Sequence, residues 1–167
     1  SVEEAWEYSA VMRLVVITCL ALFLWTEDAT AADRHAGYYY PEPKNIETYR
    51  ARARVLSKSS RANRLAFING LTAGLLKRPY PPQISIFAKG LDAQKMIIVS
   101  NFAGKLDTIY RARALFATMT AVARKSPIFK QFNVETILTF FDLAKMLGFK
   151  QITISDGDTF SHQVLLR

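Results

Sequence analysis

The chain has 167 residues, 50% of them apolar and 12% aromatic, with 22 Lys plus Arg against 14 Asp plus Glu and a single Cys. That composition excludes a disordered chain, a collagen-like repeat and a disulfide-stapled miniprotein, and it leaves one domain's length with enough apolar material for a core. No catalytic signature stands out, so the residues speak first to destination, charge and fold.

Residues 1–11 carry Glu3, Glu4 and Glu7, the wrong sign for the region ahead of a signal core. They read as an upstream extension, with translation starting at Met12. Met12-Arg13 precedes an uncharged run, Leu14 to Trp25, then Thr26-Glu27-Asp28 and Ala29-Thr30-Ala31. A positive start, a short apolar core and an A-x-A ending form a secretory signal peptide over residues 12–31, with Ala29 and Ala31 at the cleavage site. The run falls short of the roughly 20 residues that a permanent membrane helix needs. Cys19 lies inside the run, without the small residues that precede a lipoprotein cysteine. Cleavage after Ala31 removes one Arg and five acids. Ala32 to Arg167 is then a cysteine-free body of 136 residues with 21 bases against 9 acids, net +12. A periplasmic protein so charged attracts anionic surfaces, with strong salt dependence.

Residues 32–45 hold Tyr38-Tyr39-Tyr40-Pro41-Glu42-Pro43; two prolines one residue apart forbid a helix and predict an extended Tyr/Pro arm. Tyr49 to Val55 alternates Arg with small apolar residues. On a strand Arg50, Arg52 and Arg54 would share one face; Ala and Arg both favour helix, and helix is the expectation. With Lys58, Arg61 and Arg64, residues 50–64 hold six bases and no acid. Ser57 to Ser60 offers N-caps for a helix to about Lys77, with the stripe Leu65, Ile68, Leu71 and Leu75. The connector Arg78-Pro79-Tyr80-Pro81-Pro82 leads to a hairpin, Gln83 to Ala88 and Lys95 to Ser100, turning over Lys89 to Ala93. Asp107 caps a helix to about Lys125, striped by Ile109, Ala112, Phe116, Met119 and Ala123. Near its start Arg111 and Arg113 repeat the Tyr-Arg-Ala-Arg pattern. Asn133 caps a third helix that Gly148 stops. Gln151 to Ser155, the turn Asp156-Gly157-Asp158 and Thr159 to Leu166 close the chain as a hairpin. The order α-β-β-α-α-β-β predicts a single α+β domain over residues 46–167. Its expected form is a small antiparallel sheet of two hairpins, with about three helices packed on one face.

The chemistry-bearing residues are few. His162 shares a strand face with Phe160 and Val164 and reads as a core histidine; Ser161 beside it points the other way, so the two form no nucleophile–base pair. Two histidines, His35 and His162, cannot close a structural zinc site. Asp156 and Asp158 fall short of the ligands calcium takes. Gly70 to Lys77 lacks the spacing and the preceding strand of a phosphate loop. Neither a metal nor a cofactor is predicted.

Several stretches together resemble a small family of exported, functionally uncharacterised proteins of Gram-negative bacteria. They are Arg34 to Pro41, Arg78-Pro79-Tyr80-Pro81-Pro82, Phe87-Ala88-Lys89-Gly90, Asp107 to Leu115, and Asp156-Gly157 with His162-Gln163-Val164. Some members of that family carry a label of molybdopterin-guanine dinucleotide biosynthesis. The glycine-rich nucleotide loop of the true nucleotidyltransferase is not found in these residues.

The expected function is therefore a periplasmic, basic, non-enzymatic binding or accessory protein. Its partner is anionic: an acidic protein, a lipid headgroup or an envelope complex. The binding residues are Arg50, Arg52, Arg54, Arg61, Arg64, Arg111 and Arg113, with Tyr38, Tyr39 and Tyr40. Export demotes nucleic acid as a partner. The alternatives are a small enzyme with a cleft at His162 and Asp156, or a nucleotide-handling protein of the kind the family label implies.

Overall fold

The computed structural model describes residues 41–167. The readings placed on the extension, the signal peptide with Ala29 and Ala31, Cys19, His35 and Tyr38–Tyr40 lie outside the described residues.

Among the described residues five strands and four helices follow in the order β1 (Asn45–Tyr49), α1 (Arg61–Leu76), β2 (Ile84–Lys89), β3 (Lys95–Ser100), α2 (Ile109–Ala123), α3 (Pro127–Phe132), α4 (Phe140–Met146), β4 (Gln151–Ser155) and β5 (Ser161–Leu166). They make an α+β fold on one sheet of order β1-β5-β4-β3-β2. The two expected hairpins are present: β2 pairs β3 and β4 pairs β5, both antiparallel. The sheet as a whole is mixed, however. β3 and β4 run parallel, as do β1 and β5. A parallel neighbour requires a long crossover, and the stretch holding α2, α3 and α4 supplies it for β3 and β4.

Local chemistry sets most element ends. Ser60 caps α1 by accepting from the Asn63 N–H. Thr108, one residue past the expected Asp107, caps α2. Two expectations are corrected. Residues 49–55 are not helical: β1 ends at Tyr49 and the chain stays irregular to Ser60. The strand side of that reading fits better, because Ala51 and Ala53 are half-buried between exposed Arg50, Arg52 and Arg54. The Ala51 N–H also donates to the Arg167 carbonyl at 2.7 Å, which extends the β1–β5 ladder. The third helix is the other correction. Asn133 does not start a helix; it ends α3 in the left-handed conformation at φ 54°. The longer segment begins only at Thr139, whose hydroxyl and the Asp142 carboxylate form a reciprocal capping box.

Strand alternation places the core. Ile86, Met96, Ile98, Ile152, Ile154, Val164 and Leu166 share one sheet face and pack with Ile68, Ala112, Phe116, Phe129, Phe140, Leu143 and Phe149. Burying each large side chain of this kind contributes roughly 1.5–3 kcal/mol. Phe141 bridges layers: its ring centroid lies 4.8 Å from those of both Tyr49 and Phe116.

Candidate functional site

The arginines singled out in the sequence do not form one patch. Arg64 is 8% exposed. Its Nε donates to the Asp92 carbonyl at 2.8 Å, and its Nη1 donates to Ser59 Oγ and the Leu147 carbonyl, both at 3.1 Å. Arg64 thus ties the start of α1 to the β2–β3 turn and to the end of α4, and faces no outside anion. Arg61 donates to the Leu91 carbonyl at 3.1 Å. The Arg52 backbone N–H donates to Asp142 Oδ1 at 2.7 Å, while its guanidinium reaches the Ile137 carbonyl at 3.4 Å. Arg111 pairs with Asp107 at 2.7 Å and also meets the Gly104 carbonyl. Arg113 lies 3.5 Å from Glu47. Arg50 and Arg54 are exposed, and the structure shows neither with a hydrogen-bond or ion-pair partner among the described residues.

The sheet assembles a different set. Lys89 ends β2 and sits directly opposite Lys95, which begins β3. Lys95 lies opposite Gln151, the first residue of β4, with Lys150 just before it. Leu166 N–H bonds the Lys150 carbonyl, and Arg167 N–H bonds the Tyr49 carbonyl, which sets Arg167 beside Arg50. One end of the sheet therefore carries a base on, or one residue beyond, every strand, in the order Arg50, Arg167, Lys150, Lys95, Lys89. At the usual spacing between strands the row spans about 19 Å. Alternation from the core positions puts Arg50, Arg167, Lys95 and Lys89 on the face opposite the helices. Among the described residues none of the five side chains has an acid within ion-pair reach. The acids nearest them in sequence are Glu47, three residues before Arg50, and Asp92, three residues from both Lys89 and Lys95.

The opposite end is acidic and polar. The carboxyl ends of β3 and β4 border a cavity of about 280 Å³ lined by Ser100, Asn101, Phe102, Ala103, Gly104, Asp156, Gly157 and Asp158. Asp156 Oδ1 accepts from the N–H groups of Asp158 (2.9 Å), Thr159 (3.0 Å) and Phe160 (2.9 Å), and Oδ2 accepts from the Thr159 hydroxyl at 3.2 Å. Partial burial works to raise this carboxyl, but those donors outweigh it and hold it below the usual carboxylate range. Such a group folds the β4–β5 turn and is a poor proton acceptor.

His162 lies elsewhere. It is 1% exposed, on the core face opposite Ile154 and Asn45. Its Nε2 stands 3.1 Å from Glu47 Oε1 on β1, although neither ring nitrogen meets hydrogen-bond geometry with a partner. His162 lines neither the polar cavity nor the apolar cleft described below, so His162 and Asp156 do not converge on one cavity. Ser161 points to the other face, as alternation requires. Gly70 and Gly74 lie inside α1 rather than in a loop.

Two functional-looking groups escaped the sequence reading. Asp142, fully buried, accepts from Arg52 N–H, from Thr139 N–H (2.8 Å) and hydroxyl (3.0 Å), and from the Tyr49 hydroxyl (3.1 Å). Burial, ahead of the opposing Thr139 hydrogen bond, pushes the Tyr49 phenol up. The signal was Thr139-x-x-Asp142, a capping-box spacing before an apolar run. The second is the apolar cleft of about 790 Å³ between α1 and α2. Among the described residues no group of three or more His, Cys, Asp or Glu could hold a metal ion, and no helix is long and apolar enough to cross a membrane. Comparison with family models, curated proteins and solved structures finds no match.

Proposed function

We propose that this protein is a periplasmic, non-enzymatic binding protein that docks on an anionic partner of the envelope, an acidic protein or a lipid headgroup surface. The observation that carries this reading is the row of bases on or one residue beyond each of the five strands at one sheet end, unpaired among the described residues, with Arg54 following on the same chain segment. Cations fixed to a sheet are already spaced, so an anionic surface can meet them together without ordering long loops first. Lys and Arg held near an anionic lipid surface are worth about 1 kcal/mol each at moderate salt. The resemblance to exported proteins and the signal-like segment support the compartment.

The test is co-sedimentation of the purified chain with vesicles of mixed anionic and zwitterionic lipid, and retention on an immobilised acidic protein, each at low and high salt. We expect retention on one of the two at low salt and its loss at high salt. Arg50→Glu with Lys95→Glu should weaken that retention at least tenfold while leaving the unfolding midpoint near the parent's. Equal retention at both salt levels, or by the charge-reversed chain, overturns the proposal.

A further inference from the structure

The cleft between α1 and α2 is independent of the cationic sheet end. Leu71 and Leu75 of α1, Met119 and Val122 of α2, and Ile86 and Phe140 all line it. Its volume, about 790 Å³, lies within the roughly 300–1,000 Å³ of small-molecule sites, which are likewise mostly apolar with few polar groups. Val122 is 55% exposed and Tyr80 is 53% exposed, so large apolar side chains of this cleft are left to solvent.

Two glycines show that the opening is built into the helix. Gly70 and Gly74 both line the cleft from α1. Each destabilises a helix interior by roughly 0.5–1 kcal/mol relative to Ala. Neither has a positive φ, and a Cβ added at either would meet no atom within 4 Å. Backbone conformation and close packing therefore demand neither glycine. Their structural consequence is a wall without side chains, one turn apart, along the cleft.

The polar chemistry of the lining is one-sided. Among the described residues no acidic side chain lines the cleft, and the one cationic side chain is Arg78. Arg78 is exposed, and its guanidinium has no partner among the described residues. A second copy of this chain, with net charge +8, would bring like charge toward Arg78. A mostly apolar cleft with one exposed guanidinium on its lining complements a single-chain amphiphile with an anionic head. We infer that this cleft binds one long-chain carboxylate, its hydrocarbon between α1 and α2 and its carboxylate on Arg78.

The experiment is calorimetric titration of the full chain with dodecanoate below its micelle concentration, beside dodecyltrimethylammonium, which has the same chain and the opposite head. We expect one dodecanoate per chain and at least tenfold weaker binding of the cation. Gly74→Leu, which projects into open space, should weaken dodecanoate at least tenfold without lowering the thermal midpoint. Arg78→Gln should weaken it at least fivefold, and Arg50→Glu should leave it within twofold. If Gly74→Leu lowers the midpoint, Gly70→Ala with Gly74→Ala decides instead, since added methyls favour the helix; it should bind at least threefold more weakly. Several molecules bound per chain, parent-like binding by the glycine variants or by Arg78→Gln, or a loss confined to Arg50→Glu overturns the inference. The last outcome would move the carboxylate to the sheet end, whereas failure of the vesicle assay leaves this titration unaffected.

Discussion

Arg64→Ala separates an arginine that builds the fold from those that face outward. The truncation removes three hydrogen bonds made by a nearly buried guanidinium, to the Asp92 and Leu147 carbonyls and to Ser59 Oγ. Hydrogen bonds to charged groups contribute roughly 1.5–3 kcal/mol each, less when they share a donor. The Leu147 carbonyl keeps the Ser59 hydroxyl at 2.7 Å, so among the described residues only the Asp92 carbonyl loses its side-chain donor. The expected loss is therefore about 3 kcal/mol, below the simple sum of three bonds. Arg64→Lys retains charge without the planar fork and should lose about 2 kcal/mol. Arg61→Ala, whose single bond is exposed, should stay within about 0.5 kcal/mol of the parent. Urea unfolding at one fixed salt concentration reads all three, provided the slope with denaturant is unchanged. If Arg64→Ala unfolds within about 1 kcal/mol of the parent and weakens anion binding as much as charge reversal at Arg50, the inward assignment is wrong.

Gly148→Ala should lose about 3 kcal/mol, because φ is +86° and the new Cβ would press on Ser59 Oγ and Arg64 Nη1. Combined with Arg64→Ala its effect should be less than additive, which a double-mutant cycle measures. Asp142→Asn should lose about 2 kcal/mol by chemical denaturation, since an amide nitrogen must face donors where a carboxylate oxygen accepted them; a loss below about 0.5 kcal/mol would remove Asp142 as the tie between β1 and α4. Asp156 is depressed in the folded state, so its stabilisation is present above the unfolded carboxyl range and is lost as pH falls below about 4. Urea midpoints between pH 5 and 3 should accordingly fall more steeply for the parent than for Asp156→Asn, and parallel slopes would contradict the turn assignment.

What could be read from the sequence was local. α1 and α2 each announce themselves by a polar cap and an apolar stripe at helical spacing. Both hairpins join neighbouring strands through short, turn-rich segments. β1 left no such trace. Its core-facing residues are Glu47 and Tyr49, because they meet His162 and Asp142, so the strand shows polar residues where alternation looks for apolar ones. The third helix was overextended for the opposite reason. Phe140, Phe141, Leu143 and Leu147 continue a helical pattern that starts earlier, and only the Thr139–Asp142 box marks where the chain turns helical again.

The same distinction governs the candidate sites. The six bases of residues 50–64 form one cluster in the sequence, but three of the arginines bond the protein's own carbonyls. Arg64 goes inward to the β2–β3 turn and the end of α4, Arg61 goes to the same turn, and Arg52 reaches the Ile137 carbonyl ahead of α4. Lys89, Lys95, Lys150, Arg167 and Arg50 are scattered along the chain, and only strand order and register bring them to one end. No window of sequence contains that row. Like charges directly opposite each other, as Lys89 and Lys95 are, destabilise a sheet. Relieving that repulsion would let an anion stabilise the folded chain as well as bind it. A polyanion that raises the unfolding midpoint of the parent, but not that of the Lys95→Glu chain, would tie the two effects to the same residues.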